Sequence, residues 1–215
     1  MKNLMNAMAI LAIGMAGVVS LSAQRLTVQA SGQKTVTLSD AVGKNQFSWL
    51  SDAPLEKIQG TSAGVTGRIT LDPRNLSTIR GTIATQVSTM RTGNSTRDGH
   101  LRGSNWLDAS TYPTITFTIL SVANIKVTGN NATGAVTGNF VMHGVTKRLA
   151  FPFNLKYVDE SAQTRSRAPG DLVMISAQFD IKLKDFNVAG ARGMVGSRVG
   201  ETIRVTAQLF GSTGG

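Results

Sequence analysis

The chain has 215 residues, with 22 Lys and Arg against 12 Asp and Glu, two histidines and no cysteine. That length suffices for one domain with a sizeable core, and the missing cysteines exclude disulfides, thiol catalysis, zinc–thiolate sites and a lipid-anchored N-terminal cysteine. The net charge of +10 favours anionic surroundings such as lipid headgroups or acidic glycans; nucleic acid is not an expected partner, because the basic residues are scattered and the chain reads as exported.

Residues 1–23 read as a signal peptide. Lys2 supplies the positive start, Met5 to Val19 an uncharged apolar run, and Ser20, Ser22 and Ala23 the small residues near a cut site. The run is shorter than the roughly 20 residues of a membrane span. A cut after Ala23 would put Leu21, a poor fit, at position −3; a cut after Ser22 is the alternative. Export predicts a periplasmic or secreted protein.

Residues 24–46 read as a polar lead-in, rich in Gln, Thr and Ser, with a loose strand over Thr35–Leu38. The domain proper is expected over 47–215. Strand patterning starts at Phe47–Leu50 and continues as apolar residues at every second position. Ile69 and Leu71 form one such face. Others are Ile83, Thr85 and Val87; Ile115, Phe117 and Ile119; Val136, Phe140 and Met142. Phe151, Phe153, Leu155 and Tyr157 follow, then Phe179, Ile181 and Leu183, and last Ile203, Val205, Ala207 and Leu209. Turn residues separate them at Asp72-Pro73, Gly129-Asn130-Asn131, Ala168-Pro169-Gly170 and Gly196 to Gly200. The one helical stretch is Arg97–Leu107, with Tyr112-Pro113 beyond it as a stop. The fold class is therefore all-β and antiparallel with one short helical segment, and patterning slightly favours an eight-stranded barrel. Closing the sheet removes its two exposed edges. The pattern by itself also suits a two-sheet sandwich.

The inward positions carry Phe, Ile, Leu, Val and Met, without an acid or a histidine. About eight strands enclose either a solid core or a small cavity, and both readings stand. A cavity would suit a hydrocarbon chain, since each buried methylene contributes about 0.8 kcal/mol. Trp49 and Trp106 would pack in the core or stack on a ligand ring at the barrel mouth.

No catalytic site is expected. His100 and His143 lack neighbours at metal-ligand spacing, so no metal and no cofactor is called for. There is no G-x-S-x-G elbow, and Gly190 to Gly200 lacks phosphate-loop spacing. The carboxylates sit at strand ends and turns, not as a close pair. Arg97, Asp98 and Arg102 form a charged cluster, either an internal salt bridge fixing the loop or a rim that holds a headgroup. His143-Gly144-Val145-Thr146-Lys147 reads as a hairpin turn with Gly at positive φ.

The words at 97–117, RDGHLRGSNWLDASTYPTITF, closely resemble the hallmark of the YceI-like family. Further matches are SDAPLE at 51–56, the G-x-I-x-LD word at 67–72, HGVTK at 143–147 and IKLKDF at 181–186. The family's opening histidine-bearing strand word is absent; Phe47-Ser48-Trp49 stands there. The resemblance implies a lipocalin-like barrel that encloses a polyisoprenoid lipid or isoprenoid quinone without covalent chemistry. Its expected lining is Phe117, Ile119, Phe140, Phe151, Phe153, Phe179 and Ile181, with Trp49 and Trp106. Arg97, His100 and Arg102 are the expected mouth residues. The alternative is a filled barrel whose basic face binds anionic envelope polymers or a membrane surface. A lipid-modifying enzyme comes third, for want of an acid–base pair, and a homodimer stays open.

Overall fold

Alternation of apolar and polar side chains over five to fifteen residues at a time drives this chain into strands. The structure is a computed structural model that describes residues 24–214; the expected signal peptide at 1–23 lies outside the described residues. The strands are β1 (Lys34–Leu38), β2 (Gln46–Asp52), β3 (Lys57–Ser62), β4 (Thr66–Asp72), β5 (Asn75–Gln86), β6 (Thr114–Thr128), β7 (Asn131–Met142), β8 (Val145–Val158), β9 (Leu172–Lys182) and β10 (Thr202–Ser212). Helix α1 (Ser95–Arg102) and the single turn α2 (Ala162–Arg165) lie outside the sheet.

The sheet runs β1-β4-β5-β6-β7-β8-β9-β10-β2-β3, every pair antiparallel. β1 pairs with β4 through Val36↔Ile69 and with β10 through Thr37↔Ser212, which closes the barrel. The eight strands expected from patterning are β2 and β4–β10. The segment expected as a lead-in contributes β1, because Val36 and Leu38 point into the core. β3 is an addition, and its outer edge is tied to the segment before α1 by two bonds, Thr61 N to Arg91 O at 2.8 Å and Arg91 N to Thr61 O at 2.9 Å.

Tight turns hold the meander in register. Between β7 and β8 the pair Met142↔Val145 leaves a two-residue loop, His143 at φ 51° and Gly144 at φ 73°. Both residues take the left-handed conformation that matches strand twist. Pro152 lies within β8, an unusual place for a residue with no N–H. The β8–β9 ladder starts one residue later, at Phe153↔Ala177, so the missing donor falls where that ladder has already ended.

The interior has two halves. One end is packed solid by Leu71, Leu76, Tyr157 and Val173. Leu26, from the stretch before β1, seals it from below: its N–H donates to Pro73 O at 2.8 Å, and the Asp159 carboxylate receives the N–H groups of Gln29 and Ala30. The other half is lined by Phe140, Ile181, Phe186 and Val205. Phe47 and Phe117 pack against both, which puts them at mid-height.

Candidate functional site: the barrel lumen

Between the two halves lies a cavity of about 870 Å³, within the range of roughly 300–1,000 Å³ usual for small-molecule sites. Its wall is aromatic and aliphatic. Phe151 stacks on Phe179 with ring centres 4.4 Å apart, Phe117 leans on Phe151 at 5.0 Å, and Phe140 meets Phe179 edge-on at 6.0 Å. These offset and edge contacts are the favourable ones for rings, and they fix the wall without filling the space. Small inward residues, Ala177 and Ala207, leave the volume that the phenylalanines do not take.

The opening is built by three segments. The first is the α1 region, whose Arg97, His100, Leu101 and Trp106 line the cavity. The second is the glycine-rich loop after β9, which supplies Ala191, Met194 and Val199. The third is the β2–β3 turn, which supplies Glu56. Trp106 lies against Gly190, where a Cβ would sit 2.6 Å from the indole; no other residue type lets the two segments approach so closely. Leu55 N donates to Ser197 O at 3.0 Å and joins the second segment to the third. Glu56 and Arg97 join the third to the first, through Arg97 Nη1 to Glu56 Oε1 at 2.5 Å.

The start of α1 is over-determined. Asn94 caps it by accepting from Arg97 N at 3.0 Å. Asp98, buried at 5% exposure, accepts from both the N–H and the hydroxyl of Thr92, each at 2.7 Å. Those hydrogen bonds, led by the hydroxyl and helped by Arg102 and Arg91, hold the Asp98 carboxyl below the ordinary aspartate range.

The family model of the YceI-like domain matches residues 28–210. Protein YceI of Salmonella arizonae is 30% identical over 153 residues, covering 71% of each chain. The chain belongs to the YceI-like family. Among solved structures, BcnA of Burkholderia cenocepacia superposes with TM-score 0.62 at 20% identity, over 77% of this chain and 95% of that one. A Saccharophagus degradans protein described as a polyisoprenoid binding domain gives TM-score 0.60 at 16% identity, over 85% and 99%. The closed antiparallel barrel is thus the fold of the YceI-like family. Its sequence words fall on defined elements here: RDGHLR is α1, HGVTK the β7–β8 hairpin, and IKLKDF the end of β9 with the 3-10 turn Leu183–Phe186.

The structure brings most of the expected lining together. Phe117, Ile119, Phe140, Phe151, Phe153, Phe179 and Ile181 all face the cavity, as do Trp49 and Trp106. Arg97 and His100 stand at its opening. Arg102 does not line it; its guanidinium reaches the Ser88 carbonyl at 3.3 Å instead. The expected salt bridge within the Arg97–Asp98–Arg102 cluster is also corrected. Asp98 turns back onto Thr92, and the carboxylate paired with Arg97 is Glu56, 41 residues away. Arg97 and Asp98 are adjacent on the helix and do not face each other; Arg102 stands at i+4 from Asp98, but Thr92 takes up that carboxylate and Arg102 reaches Ser88 O instead. Glu56, Met194 and Ser62 are lining residues that sequence reasoning missed. Met194 carried a signal, an apolar residue in an otherwise glycine-rich loop; Glu56 and Ser62 carried none.

Among the described residues, no group of His, Asp and Glu is arranged to hold a metal ion. The ionisable residues of the lining are Glu56, Arg97 and His100, all at the opening.

A pH dependence follows from Asp98. Its carboxyl titrates lower in the folded chain than its ordinary value of 3.8. The stability it contributes is present above that value and is lost as pH falls through the lower, folded one. We expect Asp98→Asn to weaken thermal stability at neutral pH and to flatten the loss of stability below about pH 4. Melting curves of both proteins between neutral and strongly acid pH check this. Parallel curves would remove Asp98 as the acid-sensitive anchor of the mouth.

Proposed function

We propose that this YceI-like barrel is a non-enzymatic carrier that encloses a polyisoprenoid lipid or isoprenoid quinone, acting in the periplasm or outside the cell. The observation that carries the reading is the apolar cavity of about 870 Å³ inside a closed barrel. Phe117, Ile119, Phe140, Phe151, Phe153, Phe179 and Ile181 would clasp the prenyl chain, with Trp106 at the opening and Trp49 on the β2 wall below it. Burial of hydrocarbon supplies the affinity, at about 0.8 kcal/mol per methylene. Arg97 and His100 form a polar threshold, and the Glu56–Arg97 pair fastens two loops across it.

The description of the Saccharophagus relative supports a prenyl ligand. The composition of the lining supports binding over turnover: its three ionisable side chains sit at the opening, and the walls offer no acid–base pair. The basic surface, +10 overall, suits contact with an anionic membrane from which the lipid would be drawn.

Titration of delipidated protein with a fluorescent prenyl lipid, at low and high salt, tests this against adhesion of a basic surface. Enclosure predicts saturable binding at one site per barrel that changes little with ionic strength. Binding that fades steeply with salt would favour the surface.

A further inference from the structure

Three buried donors of the cavity lining have nothing to donate to: Arg97 Nε at the opening, and two on the wall below it. Ser62, 1% exposed, has no partner for its hydroxyl, and Trp49 has none for its indole N–H. Both residues line the cavity. They stand on the same patch of wall: β2 and β3 pair as Phe47↔Ser62 and Trp49↔Gly60. Phe47 marks mid-height, so this patch lies below the opening, not at it.

Other buried hydroxyls of the lining are provided for. Ser51 Oγ accepts from Gly200 N at 2.8 Å, and Thr85 Oγ1 donates to Ala63 O at 3.3 Å. Below the opening, Ser62 and Trp49 are the buried side chains of the wall left without a partner; the third unpartnered donor of the lining, Arg97 Nε, belongs to the opening. Buried donors are nearly always paired, and an unpaired one costs stability. A phenylalanine at 49 and an alanine at 62 would pack the same wall without that cost.

We infer that the Trp49–Ser62 patch is a recognition subsite for an uncharged oxygen acceptor, a carbonyl, hydroxyl or ether, carried by the enclosed lipid. The inference rests on the lipid-carrier reading and names the ligand's polar chemistry within it. An indole N–H can only donate, so the partner must accept. It must be uncharged, because the cations of the lining stop at the opening and a deep anion would be unpaired. Phosphate and diphosphate groups are therefore excluded from this depth.

Both donor atoms are buried. The indole lies flat on Gly60, where a Cβ would come within 2.1 Å of the ring. With no side chain at Gly60 beneath the ring, the subsite requires only a turn of the indole to aim its N–H at an acceptor in the cavity. A site built to hydrogen-bond a ligand group discriminates strongly against the analogue that lacks it.

The test compares three isoprenoids of matched tail length on delipidated protein: a prenylated quinone, squalene, which has no oxygen, and a prenyl diphosphate. Wild-type protein should prefer the quinone over squalene by tenfold or more. Ser62→Ala and Trp49→Phe should each lower that quinone-to-squalene ratio about fivefold, the worth of one neutral hydrogen bond. The ratio is the readout because a change in packing alone moves both affinities together. An unchanged ratio in both variants overturns the inference, as does a preference of wild-type protein for the diphosphate. If none of the three binds, the carrier reading itself fails; if all bind without preference, only the subsite does.

Discussion

Replacing Ala177 with phenylalanine should abolish the proposed lipid binding and leave the barrel folded. Ala177 faces the cavity from β9, opposite Ala207 on β10 and Phe153 on β8. A benzyl group there projects into empty space, so the usual strain of overpacking a filled core does not arise. The ring buries itself at the ligand's expense. Each isoprene unit shut out removes about 4 kcal/mol, at about 0.8 kcal/mol per carbon, which is roughly a thousandfold in affinity. Melting temperature should stay level or rise. Parallel measurements of melting and of prenyl-lipid affinity check this; a folded variant that binds as tightly as the parent would mean that the ligand lies elsewhere.

Truncating Tyr157 should cause a large loss of stability. The ring is fully buried at the sealed end, and its hydroxyl donates to Asp171 Oδ2 at 2.6 Å. Burial pushes the phenol's pKa up, and the Asp171 carboxylate pushes it further, so the hydroxyl stays protonated and donating. Asp171 also receives Glu160 N at 2.9 Å, and its own N–H donates to Thr213 at 2.9 Å. The Asp171 carboxylate thus fastens the end of β8 to the start of β9, and its backbone N–H adds the end of β10. Tyr157→Ala should cost about 3–5 kcal/mol, as large aromatic truncations do, or some 10 °C or more of melting temperature at this chain length. Tyr157→Phe should cost about 1–3 kcal/mol, because it only strips the carboxylate of one donor. Denaturant unfolding of the two variants separates the contributions. Equal losses would show that the hydrogen bond dominates the ring.

The legible part of the fold was what alternation encodes. Ile115-Thr116-Phe117-Thr118-Ile119 can only present one greasy face, and β6 does so. β3 was hidden because its buried residues are Ile58, Gly60 and Ser62, which hold a single large apolar group. Its place in the sheet comes from pairing with β2, not from its own composition. β1 was half legible: Val36 and Leu38 alternate, but closure through both β4 and β10 is a property of the whole barrel.

The site was legible residue by residue but not as a space. Phe151 and Phe179 declare an inward face, yet a face of phenylalanines can fill a barrel as easily as line one. The vacancy arises because Ala177 and Ala207 stand in facing positions, and that follows from register. The partner of Arg97 was invisible for a related reason, since Glu56 comes to it only when the β2–β3 turn folds over α1. The absence of a histidine at the family's opening strand word put Trp49 in view, and the structure gives that tryptophan a position over Gly60 that composition did not foretell.

The most direct measurement is native mass spectrometry of the barrel purified from its own host without detergent exchange. The account predicts an added mass on the folded protein that corresponds to one isoprenoid molecule with an oxygen-bearing end and is released when the protein unfolds. Intact barrels that carry nothing, and that take up no prenyl lipid when offered it, would contradict it.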